Sequence, residues 1–495
     1  MSTPLFIANR NKKNLPQITK PNILILVFDA LSARNISLYG YRRETTPNLN
    51  KFAENAIVYH RHYAGGNFTT PGTASLLSGT LPWTHHAFSA FATMLNKPAR
   101  TNVFSILPKG YTRFGYTQNP LANLLLYQLS SVLDILPPTE ITGLNKTLWS
   151  KKYFKNDFDL AFRAEHILRA KDYPLPGLLA QSVLEKFQES SLSNGLNKQY
   201  KTQFPLGVPF VSQGMHFTLE NSMDWTLKTI SELPNPYFAY FHFWPPHEPY
   251  LTRNDFIDIF RDGWKSEQKP IKRFSMGVAH DKLNEARIQY DEYIAYVDSE
   301  FGRFHRNLKQ QELYNNTIII VTSDHGEMFE RGILSHVTPT LYDPIIHIPL
   351  IIKLPNQSTR MDIHTPTSCI DILPTIRYLT NNAIPVQQSE GHILPGIIPQ
   401  TSPQSERAIF AIQAKSNSKF KPLTKGTIMM VKGHYKLINY SGYSEVKNAY
   451  ELYNLEEDPE ELNDLYKKNN PISESLKIEL QQQIEHHNLL FKQNR

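Results

Sequence analysis

Four short apolar runs, each closing on a polar cluster, constrain this chain more than any other feature of its sequence. They are Ile23–Phe28 (ILILVF) before Asp29, Phe238–His242 (FAYFH) before WPPHEPY, Ile318–Val321 (IIIV) before Ser323–Glu327, and Leu350–Lys353 (LIIK). Runs of this length without alternation, separated by helical stretches, are the pattern of strands buried on both faces in a mostly parallel sheet covered by helices. In open α/β sheets a site lies beyond the carboxyl ends of the strands, so polar clusters far apart in sequence converge there.

The chain has 495 residues, 40% of them hydrophobic, which is enough for a large core. The reading divides it into an N-terminal tail (1–20), an α/β catalytic domain (21–400) with an insertion at about 137–230, and a C-terminal subdomain (401–495). The insertion opens with PPTEITG and contains a helix, GLLAQSVLEKFQESS, while LANLLLYQLSSVLDIL (121–136) reads as a buried core helix. Past 401 the alternating run TIMMVKGHYKLINY, an acidic stretch and a polar helix predict a small α+β unit. A single cysteine, Cys369, excludes an internal disulfide and reads as a buried thiol. The charge, 52 − 45 = +7, comes without a basic block or RNP-like pattern, so nucleic acid is not an expected partner. Nothing approaches the ~20 apolar residues of a membrane span, and the first 20 residues hold no apolar stretch of signal-peptide type. The expectation is a soluble, cytoplasmic chain.

Three segments carry chemistry. In NFTTPGTASLLSG (67–79), Thr70 is placed to cap a helix, Pro71 fits its first position and Gly79 its end. Thr69 then stands just before a helix N-terminus, where free N–H groups favour bound phosphate or sulfate and stabilise an alkoxide. In Ser323-Asp324-His325-Gly326-Glu327, adjacent Asp and His on a tight turn can approach one divalent ion. Asp29, directly after an apolar strand, needs a cation or metal to offset its burial.

Together these segments resemble the sulfatase-like branch of the alkaline phosphatase superfamily. FDALSARNISLYGYRRETTPNLNKFAENAIVYHRHYAGGNFTTPGTASLLSG is similar to the opening of its catalytic domain, WPPHEPY to its PHxPY loop, and YNNTIIIVTSDHGE to its closing strand and metal loop. LYDPIIHIPLII and YELYNLEEDPEELNDL match its later elements. The resemblance implies an alkaline-phosphatase-like three-layer sandwich, metal ligands at Asp29, Asp324 and His325, and a nucleophile at position 69. Three positions depart from the sulfatase pattern. Thr69 stands where Cys or Ser is converted to formylglycine, with Thr73 in place of Arg; Ala30 replaces a second metal carboxylate; and Gly115-Tyr116-Thr117-Gln118 stands where GKWH is found. Formylglycine is therefore not expected, and the remaining set is similar to the threonine-nucleophile site of phosphoethanolamine transferases and lipoteichoic-acid synthases.

The expected protein is a metal-dependent hydrolase or transferase of phosphate, phosphonate or sulfate esters. One divalent ion would be held by Asp29, Thr69, Asp324 and His325; zinc or manganese suits this donor set better, with calcium and magnesium left open. Thr69 attacks, and His247 and His336 contact ester oxygens or protonate the leaving alcohol. His242, on its strand, reads as a core or supporting residue. Expected partners are an anionic ester, a lipid headgroup or a glycan. The competing reading is a scaffold that has lost turnover and only binds such a group.

Overall fold

The computed structural model describes residues 20–144, 193–211, 215–381, 389–398, 407–446, 449–468 and 470–493. The predicted helix GLLAQSVLEKFQESS and all but the last residue of the N-terminal tail lie outside them.

Seven strands form the central sheet: β1 (Asn22–Phe28), β2 (Ile57–Tyr59), β3 (Thr112–Thr117), β4 (Tyr237–Phe243), β5 (Thr317–Thr322), β6 (Leu350–Lys353) and β7 (Met361–Ile363), in the order β7-β2-β6-β5-β1-β4-β3. Only β6 runs antiparallel to its neighbours. β1 lies between β4 and β5, with Val27 opposite His242 on one side and Thr322 on the other. The ends of β1, β4 and β5 therefore open at one edge of the sheet.

The strand residues divide between two cores, as period-two geometry requires. Ile23, Ile25 and Val27 face one layer, which holds α1 (Thr69–Ser78), α2 (Pro120–Gln128) and α5 (Ile372–Leu379). Leu24, Leu26 and Phe28 face the other, with α3 (Leu219–Glu232) and α4 (His280–Gln310). This is the predicted three-layer α/β arrangement. Helix α3 falls inside the segment read as an insertion, yet it buries Met223, Leu227 and Ile230 in the second core. Cys369 is buried and unpaired, and burial pushes its thiol up to about 12.

Two local expectations are corrected. The helix expected over 121–136 ends at Gln128, and a short 3-10 turn covers Ser130–Val132. Beyond it the chain is used otherwise: Asp134 and Ile135 donate N–H groups to the Arg113 carbonyl, and the Gly115 N–H reaches the Ile135 carbonyl at 3.1 Å, completing the open edge of β3. Helix α1 begins at Thr69 rather than after it, because the Gly72 N–H already bonds the Phe68 carbonyl at 3.1 Å.

The C-terminal subdomain is a four-stranded antiparallel sheet, β8 (Ile409–Gln413), β9 (Gly426–Lys432), β10 (Tyr435–Ser441) and β11 (Ala449–Asn454), followed by α6 (Pro471–Gln493). A buried ion cluster attaches it to the helical turn Asp343–Ile346. Lys436 Nζ on β10 meets Asp343 Oδ1 at 2.9 Å and Glu461 Oε1 at 2.5 Å, and all three side chains are enclosed. Substituting Lys436→Met would leave two buried carboxylates without their cation. The expected loss is about 3–5 kcal/mol, measurable as a lowered midpoint of chemical denaturation; an unchanged midpoint would refute the anchoring role.

Candidate active site

β1 delivers Asp29 to the edge of the sheet, its N–H bonded to the Phe243 carbonyl of β4 at 3.0 Å. Ala30 then turns the chain at φ 59°, a left-handed conformation unusual for a residue with a Cβ. The Ala30 carbonyl accepts the Tyr290 hydroxyl at 2.6 Å, which holds this turn. β5 delivers Asp324 and His325 from the adjacent position, and β4 presents His242.

The side chains converge in a fully buried cluster. His242 Nε2 lies 3.3 Å from Asp29 Oδ2 and 3.7 Å from Asp324 Oδ2, and His325 Nε2 lies 3.3 Å from Asp29 Oδ1 and 3.6 Å from Asp324 Oδ2. Thr69 Oγ1, at the start of α1, is 3.4 Å from His325 Nε2. Asn119, which follows β3, donates from Nδ2 to Asp29 Oδ2 at 2.5 Å and to Thr69 Oγ1 at 3.1 Å.

Two glycines permit this closeness. A Cβ on Gly72 would sit 2.2 Å from the Asp324 carbonyl oxygen, and one on Gly326 would sit 2.1 Å from the Pro344 carbonyl oxygen. The first turn of α1 thus rests directly on the backbone of the loop carrying Asp324 and His325.

Burial opposes the charge on Asp29, but the close imidazoles of His242 and His325 and the nearby His247 hold its carboxyl well below the usual carboxylate range. Burial also opposes charge on His325; Asp324 and Asp29 override it and push the imidazole up to about 9. His325 directs Nδ1 to the Gly326 carbonyl at 2.9 Å, which leaves Nε2 for the cluster.

Two further histidines close the site. His247 donates from Nδ1 to the Glu248 carbonyl at 2.9 Å, and burial lowers its pKa. His336 places Nδ1 3.0 Å from Glu327 Oε2. The ring centres of His336 lie 4.9 Å from His247 and 4.4 Å from His325.

A divalent ion fits this arrangement. Asp29 Oδ1, Asp324 Oδ2 and His242 Nε2 are buried without a hydrogen-bond partner. Asp29, His242 and Asp324 each offer a ligand atom, all within 4.8 Å of one another. Two enclosed carboxylates with orphaned oxygens need a cation between them.

The structure brings Asp29, Thr69, Asp324, His325, His247 and His336 into one place. Sequence reasoning gave His242 a supporting role, included Glu327 in its chemical segment without a role of its own, and passed over Asn119. His242 had a signal, as the polar residue in an otherwise apolar strand next to WPPHEPY. Asn119 had one too, an Asn-Pro helix start after a strand. The segment aligned with GKWH serves the scaffold instead: Gln118 donates to Thr142 and Ser222 and accepts the Trp244 N–H.

The family model described as Sulfatase matches residues 21–382, and that of the N-sulphoglucosamine sulphohydrolase C-terminal region matches 338–488. Choline-sulfatase of Rhizobium meliloti (strain 1021) is 22% identical over 468 residues, covering 90% of this chain and 82% of its own. Arylsulfatase K of Mus musculus is 22% identical over 483 residues, covering 92% and 78%. The phosphonate monoester hydrolase of Agrobacterium radiobacter shares the fold with a TM-score of 0.66 at 17% identity, over 95% of this chain and 96% of its own. These relatives correct the expectation that formylglycine takes no part. They belong to a family that typically uses formylglycine beside a metal ion, and the exclusion rested on two aligned positions, Thr69 and Thr73.

The donor set predicts that the purified protein carries roughly one divalent ion per chain. Asp29→Asn, Asp324→Asn and His242→Ala should each lower the metal content measured by plasma mass spectrometry. Full occupancy in His242→Ala would return that residue to a packing role.

Proposed function

This chain belongs to the sulfatase family, and from that premise we propose that it is a metal-dependent hydrolase of anionic phosphonate, phosphate or sulfate esters with Thr69 as its nucleophile. The observation that carries this reading is the position of Thr69 Oγ1. It stands in the first turn of α1, where N–H groups and the helix dipole favour negative charge, and within 3.4 Å of His325 at the edge of the carboxylate cluster.

Asp29, Asp324, His242 and His325 would hold the ion, which when bound lowers the pKa of a coordinated hydroxyl and polarises an ester oxygen. Thr69 Oγ1 attacks the ester's phosphorus or sulfur, its hydroxyl proton passing to solvent, and the alcohol departs. His336 is the proton donor for that alcohol, its ring held in place by the contact of Nδ1 with the Glu327 carboxylate at 3.0 Å. His247 is the better acceptor. Its Nδ1–H is engaged by the Glu248 carbonyl and burial favours its neutral form, so Nε2 carries a lone pair for an incoming water or acceptor alcohol. Splitting the reaction through a covalent threonine ester needs these two roles in turn.

One feature favours the competing reading of a binding protein without turnover: Ala30 has no ligand atom where a second carboxylate stands in family members. Kinetics separate the two. Thr69→Ala should lose at least about a thousandfold in kcat while remaining folded by circular dichroism. Near-normal turnover in that variant would remove Thr69 from the mechanism, and no turnover in the metal-loaded wild type would favour binding alone.

The substrate order follows from the contacts. A sulfate monoester relies on the Arg, Lys and His that Thr73 and the 115–118 segment do not provide. A phosphonate monoester or phosphodiester bears the same single charge and suits a threonine alkoxide beside one ion. Under identical metal loading, a phosphonate monoester should therefore show a higher kcat/KM than 4-nitrophenyl sulfate. The opposite order would restore a sulfatase.

A further inference from the structure

We infer that Asn119 is a catalytic residue, its side-chain amide donating to Thr69 Oγ1 and stabilising that oxygen as it gains negative charge. The inference rests on the Thr69 reading.

Asn119 is buried where β3 hands over to α2, and its Oδ1 is committed to the start of that helix: it accepts the N–H of Leu121 at 2.7 Å and of Ala122 at 3.4 Å. Pro120, at the first helical position, has no N–H to compete. The amide therefore has one satisfied orientation, with Nδ2 toward the site. Its two N–H groups go to Asp29 Oδ2 at 2.5 Å and Thr69 Oγ1 at 3.1 Å. Flipping the amide would set its oxygen against a carboxylate and its NH2 against two backbone donors.

A cap alone does not explain this residue. Ser, Thr or Asp would accept the same helix N–H groups, but only Asn both caps the helix and donates twice into the cluster. An N–H aimed at the oxygen where charge develops is the arrangement of an oxyanion donor. Asn119 would act in both half-reactions. In the first, the bond from Oγ1 to phosphorus or sulfur forms as the bond to the alcohol oxygen breaks, and that oxygen takes a proton from His336. In the second, a water oxygen replaces Oγ1 and gives its proton to His247, while Oγ1 departs with the bonding pair toward the Asn119 N–H.

Asn119→Ser and Asn119→Thr both keep a helix-capping oxygen and remove the amide donors. With a phosphonate monoester as probe, each should lower kcat by roughly 10²–10³-fold and leave KM within about threefold. Metal content and thermal midpoint should stay near wild type, and quenched single-turnover samples should show slower build-up of the mass adduct on Thr69. If either variant keeps kcat within about threefold of wild type, or recovers it fully on adding divalent metal, while Thr69→Ala is inactive, then Asn119 only caps a helix or supports Asp29 and the inference fails. An active Thr69→Ala would instead overturn the nucleophile assignment on which it rests.

Discussion

Two carboxylates, Asp29 and Asp324, emerge side by side from adjacent parallel strands, and both are buried. Isolated like charges cannot occupy such a position, since desolvation raises the energy of each and mutual repulsion adds to it. Much of the local architecture answers this constraint. His242 and His325 bring imidazoles from two strands, Asn119 brings amide hydrogens from a third, and the raised pKa of His325 shows how strongly the site attracts positive charge. Removing any of these groups leaves the carboxylates less compensated than before, whereas a dipositive ion answers both at once.

The architecture was legible because β1, β4 and β5 are written as uninterrupted apolar runs, and their polar ends could be assigned to one edge without knowing the strand order. Asp29, Asp324 and His325 were legible as chemistry standing next to such runs, and Thr69 as a hydroxyl at a helix start. His242 was not, because it lies within its strand, where a single polar residue is read as a satisfied core group; only the register opposite Val27 brings it to Asp29. Asn119 was hidden differently, since its partners Thr69 and Asp29 lie 50 and 90 residues away. The start of α1 was misplaced by the strong local signal of Thr-Pro, which the backbone bond from Gly72 to Phe68 overrides. Sequence alone also tempted a conclusion about cofactor chemistry from two positions, Thr69 and Thr73, which the wider kinship of the chain corrects.

The C-terminal subdomain contributes through charge as well as apolar contact. Lys436, Asp343 and Glu461 lock β10 to the helical turn after the His336 loop, and Arg331 in the hairpin after Glu327 donates to the Glu460 and Glu461 carbonyls at 3.0 and 2.6 Å. The loop that holds His336 is thus framed from the distal part of the chain. Buried ion pairs of this kind add less net stability than their Coulomb attraction suggests, but they fix geometry by penalising every alternative arrangement.

The contact between Gly72 and the Asp324 carbonyl has a consequence for how such a site can be altered. Because the helix that begins at Thr69 touches the loop of Asp324 and His325 through bare backbone, no side chain between them can absorb a shift, and movement of one is transmitted to the other. Directed evolution of new substrate preferences is therefore best aimed at the outer walls, with positions 72 and 326 left invariant in any library.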